Sequence, residues 1–316
     1  MNLSVDRIAV PNPYFEGASN VYLVRTRSLN LLIDTGIGTP EALELLQREL
    51  AALHCPVHEI SAILLTHKHM DHFGLARAVA DASGARVYVH QDDWKDVAFY
   101  DERHDEISRL YLNAMQQWGL PPEMIAQMGS LRERFSELAR SVPSAIALHD
   151  GDTLAFDSLP VRVVHTPGHT QGSACFLIED RLFTGDHLLP TYTPNVGATD
   201  VTSGRMLQRF IDSLKKILAL PNAAHLEICP GHGPSWRDPR PRIEKILKHH
   251  DERTQKILGI LSDGKPYTAF EIAQKLFGTM REHHVLLGAG EVYAHLEELH
   301  ADGRVERLPH HRFRSV

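Results

Sequence analysis

Apolar and polar positions alternate in short runs through the first ninety residues of the chain and then change rhythm. Residues 20–24 and 29–34 read as two strands joined by a polar turn. After Gly36 and Gly38, the spacing of Leu43, Leu46 and Leu50 predicts a helix over 40–53. A compact apolar strand at 60–65, a short helix at 75–82, Gly84 and a strand at 86–90 complete a βαβ-like unit.

Residues 92–145 break the pattern. The stretch reads as helical and carries many large side chains, among them Trp94, Tyr100, Tyr111, Met115, Trp118 and Phe135. Strands resume at 152–156, 160–165, 174–178 and 181–184. An apolar stripe of Met206, Leu207, Phe210, Ile211, Leu214, Ile217 and Leu218 then predicts an amphipathic helix before a strand at 226–229. Pro230, Pro234, Pro239 and Pro241 place a boundary near 240. The expected division is a main domain over 1–240, with a helical insertion at about 92–145, and a second domain over 241–316. Three helices at about 242–262, 268–277 and 289–302, the last closed by Gly303, precede a ribbon at 304–316. That order suggests a winged-helix-like module.

Composition narrows the classes. The 316 residues carry a net charge of −7, with no overall pull toward nucleic acid or anionic membranes. No apolar run approaches the roughly 20 residues that span a bilayer, and MNLSVDRIAVPNPYFEG lacks a signal-peptide pattern. Cys55, Cys175 and Cys229 are odd in number and far apart, reading as buried small hydrophobes in a reducing cytoplasm. A cytoplasmic protein is the expectation.

The chemistry concentrates in LLTHKHMDHFG, residues 64–74. His67 and His69 leave a strand two positions apart, so extended backbone points both imidazoles one way. Asp71 and His72 follow where the chain turns into a helix, so the segment offers two ligand pairs to two neighbouring ions. Three other segments each end a strand in a Gly- or Pro-marked turn: HTPGHTQG with His169, FTGDHLLP with Asp186, and ICPGHGP with His232. Imidazole nitrogen and carboxylate oxygen suit zinc, manganese or iron.

In this order the residues resemble the metallo-β-lactamase superfamily over about residues 17–236. The resemblance implies an α/β fold, a four-layer αββα sandwich, with two divalent metal ions, Zn²⁺ first and Mn²⁺ or Fe as alternatives, at one edge. His67, His69 and His169 would hold one ion and Asp71, His72 and His232 the other, with Asp186 bridging. Asp34, in LIDTG, would lie below the site and orient a ligand loop. Two such ions activate a shared water as hydroxide and stabilise charge on a carbonyl or phosphoryl oxygen, which predicts metal-assisted hydrolysis. Protonation of the leaving group falls to Asp71, to metal-bound water or to a pocket residue, and Asp71 is the one the sequence names. A mononuclear iron site is the redox alternative within the superfamily, and His69, where the flavodiiron branch carries Glu, counts against it.

Two substrate classes remain. The C-terminal module resembles the β-lactamase-like protein 2 group, which includes an endoribonuclease. Residues 240–316 hold 13 basic and 11 acidic side chains, a weak footprint for nucleic acid. A solvated ribbon or a homodimer contact accounts for the arginines of 304–316 at least as well. The aromatic and methionine content of the insertion suits an apolar cap over the metal edge, with Trp94, Tyr100, Tyr192 and Asn195 as candidate pocket residues. That cap favours a small acyl substrate (thioester, ester or lactone) over RNA.

Overall fold

A computed structural model describes residues 3–14, 17–156, 159–281 and 283–316, with backbone alone at 130–134. The first sheet has six strands in sequence order: β1 (Ser4–Val10), β2 (Ser19–Arg25), β3 (Asn30–Ile33), β4 (Ala62–Leu64), β5 (Arg86–His90) and β6 (Ile146–Leu148). Pairing is antiparallel from β1 to β3 and parallel from β3 to β6. The second sheet contains β7 (Thr153–Phe156), β8 (Leu159–His165), β9 (Ala174–Ile178), β10 (Arg181–Gly185), β11 (Glu227–Pro230) and β12 (Trp236–Arg237). Its one parallel pair is β10 with β11.

Strand alternation decides which face meets which layer. In β2, Tyr22 and Val24 face the second sheet, where Val161, Val163, Phe176 and Phe183 complete the inner core. Val21 and Leu23 face outward, with Leu32, Ile63 and Val87, against α1 (Pro40–Ala52) and α3 (Ala76–Ser83). The outer face of the second sheet packs Cys175, Leu182 and Ile228 against α7 (Met206–Leu218) and the start of α8 (Arg240–Leu261). The result is the expected four-layer αββα sandwich.

Between β4 and β5 lies a single-turn helix, α2 (Met70–Phe73), ahead of α3. The insertion between β5 and β6 is three helices: α4 (Gln91–Ala98), α5 (Tyr100–Gln117) and α6 (Pro122–Phe135). Past α8, α9 (Ala269–Phe277) and α10 (His283–Ala301) lead into an antiparallel ribbon of β13 (Val305–Leu308) and β14 (Arg312–Ser315). Thr268 starts α9 with a reciprocal capping box to Glu271. These last elements share one core with the insertion: Tyr111, Met115, Trp118 and Met128 pack with Ile257, Phe270, Val292 and Leu296. Two features depart from the sequence reading. α10 begins six residues before 289, and β1, β6 and β12 extend the sheets beyond the predicted strands.

Candidate metal centre

Each chemistry-bearing residue lies just past the carboxyl end of a strand. Asp34 follows β3, the His67–His72 segment follows β4, His169 follows β8, Asp186 follows β10, and His232 follows β11. Chain direction therefore delivers five loops to one edge of the sandwich. At the turn into α2, His69 keeps extended backbone (φ −74°, ψ 142°) and Asp71 and His72 are helical, so the two ligand pairs point differently.

The side chains form two groups around one carboxylate. His67 Nε2 and His169 Nε2 each lie 3.0 Å from His69 Nδ1. Two zinc–nitrogen bonds of about 2.0–2.1 Å at a tetrahedral angle would separate their nitrogens by roughly 3.3 Å, so the spacing suits one shared ion. In the second group, Asp71 Oδ2 lies 3.5 Å from His72 Nε2 and 3.4 Å from His232 Nε2. Asp186 turns Oδ1 toward His72 and His232, both at 3.4 Å, and Oδ2 toward His169 at 3.5 Å. Its two oxygens thus address the two groups separately.

Hydrogen bonds fix which nitrogen of each imidazole faces inward. His69 Nε2 donates to Thr199 O, His169 Nδ1 to Asn195 O, and His232 Nδ1 to Ala18 O. His72 Nδ1 donates to Asp34 Oδ2. Thr66 Oγ1 donates to Asp34 Oδ2 as well, and so accepts from His67 Nδ1. Every partner at the end of these chains is an oxygen that only accepts, so in the neutral imidazoles all five inner nitrogens would present lone pairs. Metal-binding imidazoles are oriented this way. Buried His72 Nε2 and Asp186 Oδ1 have no hydrogen-bond partner among the described residues, which is costly unless a cation completes them.

The electrostatics agree. Burial alone would depress the His72 imidazole, but Asp186 and Asp71 outweigh it and hold it up to about 10. His232, opposed by burial and favoured by the same carboxylates, rises to about 11. His69 goes the other way, pushed by burial and by His169 down to about 3. The carboxylate side of the centre demands positive charge, and the three-histidine side offers neutral donors. The donor set fits divalent cations.

Glycine makes the close approach feasible. A Cβ on Gly231 would collide with Asp186 Oδ1 and His72 Cε1.

A supporting layer was not visible in the sequence. Asp93, on α4, accepts from Lys68 N at 3.0 Å, Thr170 Oγ1 at 2.7 Å and Gly172 N at 2.9 Å, tying the His67–His72 segment to the His169 loop. Lys68 Nζ sits between Asp96 (2.7 Å), Asp200 (3.0 Å) and Asp93 (3.9 Å). Asn12 Nδ2 and Ser19 Oγ donate to Asp71 Oδ2.

The candidate pocket residues divide. Tyr192 and Asn195 line a cavity of about 280 Å³ that opens on His69, His169, Asp186 and His232. Tyr100 lines a smaller neighbouring cavity beside His69 and donates to Phe135 O. Trp94 lines neither. It packs against the first sheet's outer core and donates Nε1 to Ala145 O, because the opening of α4 lies against that core.

A model of the metallo-beta-lactamase superfamily matches residues 14–232, ending on the last candidate ligand. Over 302 residues the chain is 28% identical to the probable metallo-hydrolase YqjP of Bacillus subtilis (strain 168), covering 93% of this chain and 92% of that one. It is 26% identical over 302 residues to the beta-lactamase-like protein 2 homolog of Caenorhabditis elegans, covering 95% and 84%. Among solved structures, a metallo-beta-lactamase family protein from Thermus thermophilus aligns at TM-score 0.84 and 30% identity, covering 99% of this chain and 98% of that one.

Proposed function

The chain belongs to the metallo-beta-lactamase superfamily, and within it we propose a hydrolase that holds two divalent cations, zinc first, and cleaves a small acyl substrate: a thioester, an ester or a lactone. The observation that carries this reading is the convergence of five inward-facing imidazole nitrogens around Asp71 and the two separately aimed oxygens of Asp186. His67, His69 and His169 would hold one ion, Asp71, His72 and His232 the other, and Asp186 would bridge them. Bound there, the ions would supply Lewis acidity and an activated water.

The protein's own groups do the rest. Asp34, Thr66, Ala18, Asn195 and Thr199 hold the imidazoles in one tautomer each. Burial works against the Asp71 carboxylate, but His72 and His232 bring it down to about 2. It is therefore an ionised acceptor, suited to binding a cation, and it would pass a proton on readily to a leaving group once it held one. The largely apolar cavity against the centre would shield all but the reacting end of a substrate from water.

The C-terminal ribbon offers less to phosphates than its sequence suggests. Arg312 pairs with Glu271 at 2.8 Å and Arg314 with Glu306. This supports the acyl reading over a ribonuclease. The test is metal-loaded protein assayed against a panel of thioesters, esters and lactones beside RNA. Metal-dependent acyl turnover abolished by Asp71→Asn is expected. Metal-dependent RNA cleavage, lost in Asp71→Asn and without acyl turnover, overturns the reading.

A further inference from the structure

The cavity on the metal centre is polar where it meets the candidate ligands and mostly apolar elsewhere. Its apolar walls come from four parts of the chain: Tyr111 and Met115 of α5, Met128 and Phe135 of α6, Leu286 and Leu287 of α10, and the segment 189–198. Three polar side chains among its other lining residues are engaged with the protein itself. Asn195 donates its amide to Leu287 O and accepts from Ala198 N, Thr199 Oγ1 donates to His169 O, and the Tyr111 hydroxyl donates to Thr199 O. Apart from His283 at the start of α10 and the Tyr192 side chain, what faces the space away from the metal centre is aliphatic, aromatic and thioether surface.

α10 is built into the site as well as beside it. The segment 195–199 supplies the carbonyls that orient His169 and His69. It lies so close to α10 that a Cβ on Gly290 would overlap Ala198, and one on Gly197 would meet Ala294 and the Gly290 backbone. The C-terminal helices thus brace two candidate ligands from behind and wall the cavity in front of them.

We propose that α10 and the insertion together form the acyl-binding pocket, and that the group it takes is an apolar acyl chain of roughly nine non-hydrogen atoms, with its carbonyl at the metal centre and its tail between α5, α6 and α10. The proposal rests on the acyl-hydrolase reading above. The size follows from the volume: about 280 Å³, at roughly 30 Å³ per water-sized group, holds about nine. Methionines at 115 and 128 suit a chain that must be accommodated rather than matched atom for atom. The leaving group stays outside the pocket, so the C-terminal unit selects the acyl part and leaves the alcohol or thiol free to vary.

The experiment uses zinc-loaded full-length protein and linear acyl thioesters of N-acetylcysteamine from two to fourteen carbons. kcat/KM should climb about fourfold per methylene to an optimum near eight to ten carbons and then fall. Leu286→Trp, on α10, and Met128→Trp, on the opposite wall, should each move the optimum at least two carbons shorter. They should cut the decanoyl-to-butyryl ratio at least tenfold. Calorimetric binding of free butyrate, octanoate and dodecanoate gives a readout independent of turnover. No hydrolysis at any length, with octanoate bound more tightly than butyrate and that preference lost in both variants, would retain the pocket and sink the hydrolase reading. A flat length profile in both turnover and binding, or a profile that neither variant shifts, overturns the proposal.

Discussion

Asp34 accepts a hydrogen bond of 3.0 Å from the Nδ1 of His72, 38 positions further along the chain. The same carboxylate takes the Thr66 N–H and hydroxyl, each at 2.8 Å, and through that hydroxyl it fixes His67. One residue at the end of β3 therefore orients a ligand in each group. Asp34→Ala should weaken metal binding and turnover by about 10- to 100-fold, the usual effect of removing a partner behind a ligand. Metal titration against a chromophoric chelator measures it, and affinities within twofold of the parent would sink this role.

Removing the metal should destabilise the protein as a whole, because Asp71 and Asp186 then face each other in a buried site with only imidazolium charge to offset them. An ion present at a thousandfold its dissociation constant contributes about 4 kcal/mol. For a chain of this size that corresponds to roughly 6 °C in Tm. Thermal melts after dialysis against a chelator should show the drop, and added zinc should reverse it. Asp186→Asn should remove at least half of the zinc-dependent rise. A parent Tm indifferent to the chelator would argue against resident ions.

Much of this centre was legible because its signals are local. A histidine or aspartate in a glycine-marked turn after an apolar strand shows itself within ten residues, and five loops did so. Asp93 and Asp200 gave no such signal. An acidic residue at the start of α4 reads as ordinary helix-terminal charge, and its partners, Lys68, Thr170 and Gly172, appear only when three distant loops meet. The start of α10 was obscured for a related reason. Gly288, directly before the expected start at 289, has low helix propensity, yet it sits within the helix where Met280 comes too close for a side chain. β1 was hidden because Asp6 and Arg7 interrupt its apolar run, and its edge position leaves half of it exposed. Trp94 misled because a large aromatic in the insertion serves core or pocket equally well until its neighbours are known.

Acid should weaken the C-terminal helices through His250 and His295, which face each other between α8 and α10. Burial, then the neighbouring His249 and Arg253, outweigh Glu291 and depress His250 to about 4. Burial and His250 bring His295 to about 3, again against Glu291. Both are neutral when folded and take up protons when unfolded, near the ordinary pKa of about 6.5. Their stabilising contribution is therefore complete above pH 6.5 and is lost as pH falls toward 4. Each histidine should cost up to about 1.4 kcal/mol per pH unit in that window. Urea unfolding at pH 7.5, 6.0 and 5.0 should show a shallower decline for His295→Gln than for the parent. Parallel declines would refute the assignment.

The last prediction concerns Lys68, which stands between two candidate ligands and touches neither ion group. Its side chain is 10% exposed, among Asp93, Asp96 and Asp200 at 0%, 13% and 1%. Asp96 keeps a second partner in Arg103 at 2.8 Å, but for Asp93 and Asp200 the ammonium is the one neutralising charge within 4 Å among the described residues. Lys68→Met retains most of the stem and removes the charge, leaving two carboxylates buried without a counter-ion. Breaking a buried ion pair from one side costs about 3–5 kcal/mol. Because Asp93 and Asp200 also hold the His169 loop through Gly172 N and Gln171 N, metal affinity should fall together with stability. The double variant Lys68→Met/Asp200→Asn should recover part of the loss, since it removes one of the stranded charges, and the coupling between the two substitutions measures the interaction. A single variant within about 1 kcal/mol of the parent, with unchanged zinc affinity, would mean that water reaches the cluster and that the network does not position the centre.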